Sequence, residues 1–71
     1  MSDTKLTNRL RELRFMAGEM TQKELADRVG VSRQTIIAIE KSRYSPTLEL
    51  AFRIADVFNA RVDEVFQLPR R

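Results

Sequence analysis

Apolar residues recur at intervals of three and four along most of this 71-residue chain, which is the spacing of helices that bury one face. The recurrence is interrupted at four residues that end or exclude a helix: Gly18, Gly30, Pro46 and Asn59. We therefore predict five helices, the first from about Lys5 to Ala17 and the last from Val62 to Phe66. Only Phe66-Gln67-Leu68 alternates like a strand, and three residues are too few to predict one.

The fourth helix is predicted to begin after Thr47, because a hydroxyl at this position can cap the first turn. Its apolar residues fall on one helical face, so we expect them to point into the core. They are Leu48, Ala51, Ile54, Ala55 and Phe58.

The second and third helices follow each other with almost nothing between them. Thr21 and Glu24 form a capping-box pattern, in which each side chain bonds the backbone N–H of the other residue. Gly30 can take the left-handed conformation that ends a helix, and Ser32 can cap the next helix. The pattern from Thr21 to Glu40 therefore predicts a helix-turn-helix.

The third helix has one apolar face and one face rich in hydrogen-bond donors. Ile36 and Ile39 share the first, which can pack inward. The face that points away carries Arg33, Gln34, Ile37 and Ala38. An exposed donor face on a helix held by a partner helix suits reading of the DNA major groove.

The spacing T-Q-x-x-L-A-x-x-x-G-V-S-x-x-T-I-x-x-I-E, followed by P-T-L-x-L-A-x-x-I-A, resembles the lambda-repressor-like domain of phage Cro and repressor proteins. The larger bacterial group is the xenobiotic-response-element (XRE) family of transcriptional regulators. The resemblance runs from about Leu6 to Phe66. It implies a compact, all-α, five-helix fold and binding of double-stranded DNA, with residues 1–71 forming one domain whose core spans about 5–68. It does not indicate which operator is bound.

Four residues of the third helix are the candidates for base readout. Arg33 can meet guanine O6 and N7 in a bidentate pair, or can instead clamp a phosphate. Gln34 can bond adenine N6 and N7, or can be merely solvated. Ile37 can contact a thymine methyl group, or can pack against the second or fourth helix. Ala38 would let the helix approach the bases closely, or is present as a good helix former.

The resemblance also implies which residues hold the DNA backbone. Gln22 occupies the position that touches a phosphate at the start of the first motif helix. Lys41, Arg43 and Tyr44 correspond to the phosphate-clamping loop after the third helix. The family pairs the residue equivalent to Glu40 with an arginine of the first helix, which is Arg14 here.

Ser42 stands where the family commonly has Gly or Asn, at a turn expected to need positive φ. A serine there would carry roughly 1 kcal/mol of strain relative to glycine.

Composition narrows the possible functions. The chain has no Cys and no His, so thiolate and imidazole metal sites are excluded, and we expect no metal or cofactor. It shows no paired carboxylates, glycine-rich phosphate loop or nucleophile motif, so we expect no enzyme. No apolar run approaches a membrane span and no signal-peptide pattern occurs, which predicts a cytoplasmic protein. The net charge of +3 suits a phosphate-rich partner.

The C-terminal end carries more apolar side chains than a domain this small can cover: Val57, Val62, Val65, Phe66 and Leu68. In the resembling family this region forms a two-fold interface, so we predict a homodimer on an inverted-repeat operator, acting as a repressor. The alternative is that Val62, Val65 and Phe66 only close the monomer core. Two other roles compete with this one. The protein could be an antitoxin that also binds a toxin, or a phage or restriction-modification control protein of the same fold.

Overall fold

The computed structural model describes residues 6–69, and within them five helices and one short strand pair are formed. The elements in chain order are β1 (Thr7–Asn8), α1 (Leu10–Met16), α2 (Gln22–Val29), α3 (Arg33–Glu40), α4 (Leu48–Val57), α5 (Val62–Val65) and β2 (Phe66–Gln67). The all-α, five-helix prediction is confirmed. The predicted helix start at Lys5 lies outside the described residues.

The core is made where all five helices meet, and every fully enclosed side chain is aliphatic. The largest of these are Leu10, Leu25, Ile36, Ile39, Ile54 and Val65. Each contributes about 1.5–3 kcal/mol through removal of apolar surface from water. No charged or polar residue among the described ones belongs to this buried core.

The first helix is shorter than the spacing predicted, because the residues before it join a strand pair instead. β1 runs antiparallel to β2, with Thr7 opposite Gln67 and Asn8 opposite Phe66. The Asn8 side chain accepts a hydrogen bond from the backbone N–H of Leu10 at 3.1 Å and donates to the carbonyl of Ile39 at 2.9 Å. These two side-chain bonds hold the start of α1 against the end of α3, and the strand pair joins the last element of the fold to the first.

The fourth helix buries a slightly different face from the one predicted. Ala51, Ile54 and Ala55 lie in the core as expected, and Phe58 is half-buried. The prediction for Leu48 is wrong, since 71% of this residue is exposed and Leu50 is buried in its place. Leu50 shares a helical face with Ile54, four residues on, and packing of this face against the other helices covers Leu50 and leaves Leu48 outside.

Candidate nucleic-acid interface

The helix-turn-helix is held by local bonds at each helix end. The Thr21 hydroxyl accepts from the N–H of Glu24 at 3.0 Å while the Glu24 carboxylate accepts from the N–H of Thr21 at 2.8 Å. Gly30 has φ of 80°, in the left-handed region, and Ser32 caps α3 by accepting from the N–H of Thr35 at 3.2 Å. The capping box, the turn glycine and the second cap are thereby confirmed.

The capping box of Thr21 and Glu24 also affects the charge at the start of α2. The backbone N–H of Thr21, and then its hydroxyl, lower the pKa of Glu24. The carboxylate is ionised at neutral pH, and its negative charge interacts favourably with the positive end of the helix dipole.

The third helix presents the predicted faces. Ile36 and Ile39 are buried, Arg33 and Gln34 are exposed, and Ile37 and Ala38 are half-buried at the edge between the two faces. The inward isoleucines fix the rotation of α3, because turning the helix would expose them to water. The four candidate base-reading side chains consequently lie along one accessible edge of a rigid helix.

An ion pair ties α3 to α1, as the resemblance implied. Nε and Nη2 of Arg14 donate to the two carboxylate oxygens of Glu40 at 2.6 and 3.0 Å, and Nη1 donates to the carbonyl of Met20 at 2.8 Å. Only 15% of the Arg14 side chain and 10% of the Glu40 side chain are exposed. Gln22 donates its amide N–H to the same carboxylate at 3.2 Å, so the pair also orients Gln22.

The loop after α3 is fixed by bonds to the helix that it leaves. The N–H of Ser42 donates to the carbonyl of Ile39 and the N–H of Arg43 donates to that of Ala38, both at 2.9 Å. These are the two bonds of a Schellman motif, which requires a left-handed residue, and Ser42 has φ of 59°. The predicted positive φ is confirmed.

Three side chains of this loop remain available to a ligand. Lys41, Arg43 and Tyr44 are exposed directly beyond the end of α3. Of the three, Lys41 lines a cleft together with Ile37, one of the candidate base readers.

The C-terminal apolar residues divide into two groups. Val65 is fully buried and Phe66 is 6% exposed, so both belong to the monomer core. Val65 is enclosed by its own chain and offers no surface to a second subunit, so that part of the prediction is wrong. Phe66 lines an open groove with Leu68, and its contact with a second subunit stays a prediction. Val57 and Val62 are half-buried and Leu68 is exposed.

Two residues that sequence reasoning did not assign to this surface lie beside Leu68 and Val62. Leu48 shares with them an open apolar groove of about 680 Å³, and Phe52, one turn further along α4, is exposed beside Val62. Their four-residue spacing is the available signal, but Leu48 is predicted from the sequence to lie in the core and Phe52 is assigned to no face. We call Leu48, Phe52, Val62 and Leu68 the dimer face, after the contact with a second copy that we propose for them.

Two further features are absent from the described residues. No group of three or more His, Cys, Asp or Glu side chains there could hold a metal ion. None of the helices formed by residues 6–69 is long and apolar enough to cross a membrane.

The family model described as helix-turn-helix matches residues 10–65, which is most of the chain and contains every helix described above. The chain belongs to the XRE family of helix-turn-helix proteins. This assignment confirms the resemblance that the T-Q-to-I-E spacing indicated.

Similar XRE-family sequences occur in archaea and bacteria under the name HTH-type transcriptional regulator. One from Archaeoglobus fulgidus is 52% identical over 61 residues, covering 86% of each chain. One from Methanothermobacter thermautotrophicus is 55% identical over 60 residues, covering 83% of this chain and 86% of the relative. Bacillus subtilis YgzD is 43% identical over 63 residues, covering 89% of this chain and 94% of that protein.

A solved structure supports the fold independently. A crystal structure of a candidate DNA-binding protein from Bacteroides fragilis superposes with a TM-score of 0.75 over 87% of this chain and 98% of that one. Because the sequences are only 21% identical, this likeness shows the fold alone.

Proposed function

We propose that this protein is a sequence-specific, double-stranded-DNA-binding transcriptional regulator that acts as a repressor. The observation that carries the proposal is the accessible edge of α3. One arginine, one glutamine and two apolar side chains line this edge, and the opposite face of the helix is packed in the core. The names of the relatives, HTH-type transcriptional regulators, support the same function. Repression is proposed because a small bound domain can occlude a promoter without further contacts.

In this proposal α3 enters the major groove and its edge reads base pairs. Arg33 lies in the first turn, where its guanidinium can reach guanine O6 and N7, and Gln34 beside it can bond adenine. Ile37, one turn further, is half-buried and keeps part of its surface for a thymine methyl group. Ala38 leaves room for close approach.

Phosphate contacts on both sides of α3 fix its position on the duplex. Gln22 stands at the N-terminus of α2, where the helix dipole favours an anion. Lys41, Arg43 and Tyr44 approach the backbone from the Schellman turn at the other end of α3. Such contacts set register and orientation and carry no sequence information.

The dimer face is proposed to pair with the same face of a second copy around a two-fold axis. Leu48, Phe52 and Leu68 are large apolar side chains left exposed together, which is unusual for a monomer. A two-fold pairing would place two recognition helices about 34–36 Å apart, one turn of DNA. The core of this domain is small, so burial of the dimer face would also stabilise it.

The dimer is tested by Leu48→Asp, with Phe15→Asp as the matched control. An aspartate in the first turn of α4 suits the helix dipole, so this change should leave the monomer folded while placing a charge in the interface. Phe15 is 68% exposed on α1, outside the dimer face. Sedimentation at micromolar concentration should show a dimer for the wild type and for Phe15→Asp, and a monomer for Leu48→Asp.

A wild type that is monomeric both alone and on DNA would contradict the dimer. An antitoxin role would then be favoured if a small partner protein copurified and protected the dimer face. The two partners are distinguished because only self-association makes the mass of the purified protein, with no other protein present, depend on its concentration.

Selection of bound fragments from random duplex DNA tests the function as a whole. We expect an enriched inverted repeat whose half-site centres are about one helical turn apart. An operator placed over a promoter should then reduce reporter output when the protein is present. Recovery of DNA with no enriched sequence would contradict specific regulation.

A further inference from the structure

The basic side chains of the described residues fall into two equal groups. Five form ion pairs with a carboxylate, and these are Arg9, Arg14, Lys23, Arg53 and Arg61. Within residues 6–69 the other five have no carboxylate within 4.0 Å, and these are Arg11, Arg28, Arg33, Lys41 and Arg43. The second group supplies the positive charge that the fold leaves uncompensated, and Arg11 is its one member outside the helix-turn-helix and its following loop.

Arg11 lies in a cleft with residues that the proposed function places on DNA. The cleft is formed by α1, α2 and α3, has a volume of about 300 Å³, and is lined by Arg11, Arg14, Gln22, Ile37, Glu40 and Lys41. Gln22 and Lys41 are proposed phosphate contacts, and Ile37 is a proposed base contact. Arg11 therefore faces the same side of the molecule as the recognition helix.

The electrostatics of this cleft favour an anion. Glu40 is the only carboxylate among its lining residues, and its two oxygens are taken by Arg14. Arg11 and Lys41 are then left as two uncompensated cations at one opening. Gln22, at the start of α2, also lines the cleft, and its backbone N–H is bonded to no other group of the described residues. A phosphate group matches this set of donors.

We propose that Arg11 binds a phosphate of the DNA backbone, together with Lys41, and so makes α1 part of the interface. The proposal rests on the proposed function and extends it beyond the helix-turn-helix. Arg11 would fix the register of α3 on the duplex from the α1 side, while Arg43 and Tyr44 hold it from the loop. Its guanidinium would give two parallel hydrogen bonds to phosphate oxygens.

The first test compares Arg11→Gln with Arg9→Gln on the selected operator. Both remove one positive charge from the start of α1, but Arg9 is paired with Glu12 at 3.1 Å and is absent from the cleft. We expect Arg11→Gln to weaken binding roughly tenfold for two half-sites and to make the slope of log affinity against log salt shallower by about two units per dimer. Arg9→Gln should change both quantities much less. Arg11→Lys should keep the wild-type slope, since it keeps the charge.

The second test neutralises individual phosphates of the operator with methylphosphonate linkages. For the wild type, neutralising one particular phosphate in each half-site should weaken binding. For Arg11→Gln the same substitution in the DNA should have no effect, because the variant has no contact with that phosphate to lose. Arg9→Gln should retain the wild-type sensitivity at the same position.

Failure of this inference and failure of the proposed function give different results. If the wild type shows no preferred sequence, the proposed function is contradicted. If the wild type binds its operator but Arg11→Gln matches Arg9→Gln in affinity and salt slope, only the Arg11 contact is contradicted. Circular dichroism of each variant confirms that the exposed change leaves the fold intact.

Discussion

Removing either partner of the Arg14–Glu40 pair should destabilise the protein, but only one of the two changes should weaken DNA binding. The substitutions are Arg14→Gln and Glu40→Gln, which keep polar side chains of similar length. Arg14 makes three hydrogen bonds, two of them to Glu40, and Glu40 accepts a third bond from Gln22. Each substitution therefore leaves the remaining partner poorly matched in a largely enclosed position.

The magnitude lies between two limits. Breaking a buried ion pair costs about 3–5 kcal/mol, whereas an exposed pair contributes about 0–1 kcal/mol. With side-chain exposures of 15% and 10%, this pair is nearer the buried limit, so we expect a loss of about 2–4 kcal/mol in the free energy of unfolding. A domain of this length has about 4–11 kcal/mol in total. Each kcal/mol lost should lower Tm by about 4–8 °C.

The effects on DNA differ because the charge left behind differs. Arg14→Gln leaves the Glu40 carboxylate uncompensated beside the proposed phosphate contacts of Gln22 and Lys41, so affinity should fall together with stability. Glu40→Gln removes that carboxylate, so affinity per folded molecule should be kept or increased. Urea denaturation gives the free energy of unfolding, and operator titration at a temperature where both variants are folded gives the DNA affinity.

Equal losses of DNA affinity in the two variants would refute this reasoning, because they would show that the pair acts only through the fold. A double variant, Arg14→Met with Glu40→Met, serves as the control for stability. It should recover most of the lost stability, since apolar replacement of a buried pair is often neutral.

Three further predictions concern the ends of the helices and the loop after α3. Ser42→Gly should stabilise the protein by up to about 1 kcal/mol by relieving the left-handed strain, whereas Ser45→Gly in the same loop should destabilise it slightly, as thermal unfolding will show. The pKa of Glu24 is lower in the folded state than in the unfolded state, so its contribution to stability is present above the unfolded pKa and is lost as pH falls through the folded pKa. Glu24→Gln should therefore make the free energy of unfolding less dependent on pH on the acid side. The free energy of unfolding of the wild type and of Glu24→Gln, measured between pH 2 and 7 with closely spaced points around the ordinary carboxyl pKa, checks this prediction. Arg43→Gln should weaken specific and random DNA alike and make the salt slope shallower by about one unit per contact, and an unchanged slope in titrations at several salt concentrations would remove it from the interface.

Local signals in the sequence predicted the frame of the site correctly. The caps at Thr21, Ser32 and Thr47 and the left-handed turns at Gly30 and Ser42 depend on neighbours within a few residues, so the pattern contains the information that fixes them. The rotation of α3 was also predictable, because Ile36 and Ile39 leave only one way to bury it.

Long-range features were missed for the opposite reason. The β1–β2 pairing joins residues about sixty positions apart, as in the bond from Thr7 to Gln67, so the short alternation at Phe66-Gln67-Leu68 could not reveal the partner strand. Leu48 fits a helical stripe as well as Leu50 does, and only packing against the other helices decides which is covered. Arg11 escaped notice because its neighbours in the cleft come from α2 and α3, while its own helix shows only an ordinary charged face.

The claim that the edge of α3 reads base sequence is tested most directly by Arg33→Ala against a panel of single-base operator variants. Arg28→Ala is the matched control, since Arg28 is an exposed arginine of α2 that forms no ion pair within residues 6–69. We predict that Arg33→Ala costs about 1–3 kcal/mol at the preferred operator and loses discrimination at one base pair in each half-site, while Arg28→Ala keeps the wild-type pattern. A loss that is uniform across the panel would make Arg33 a phosphate contact and would contradict base readout at the start of α3.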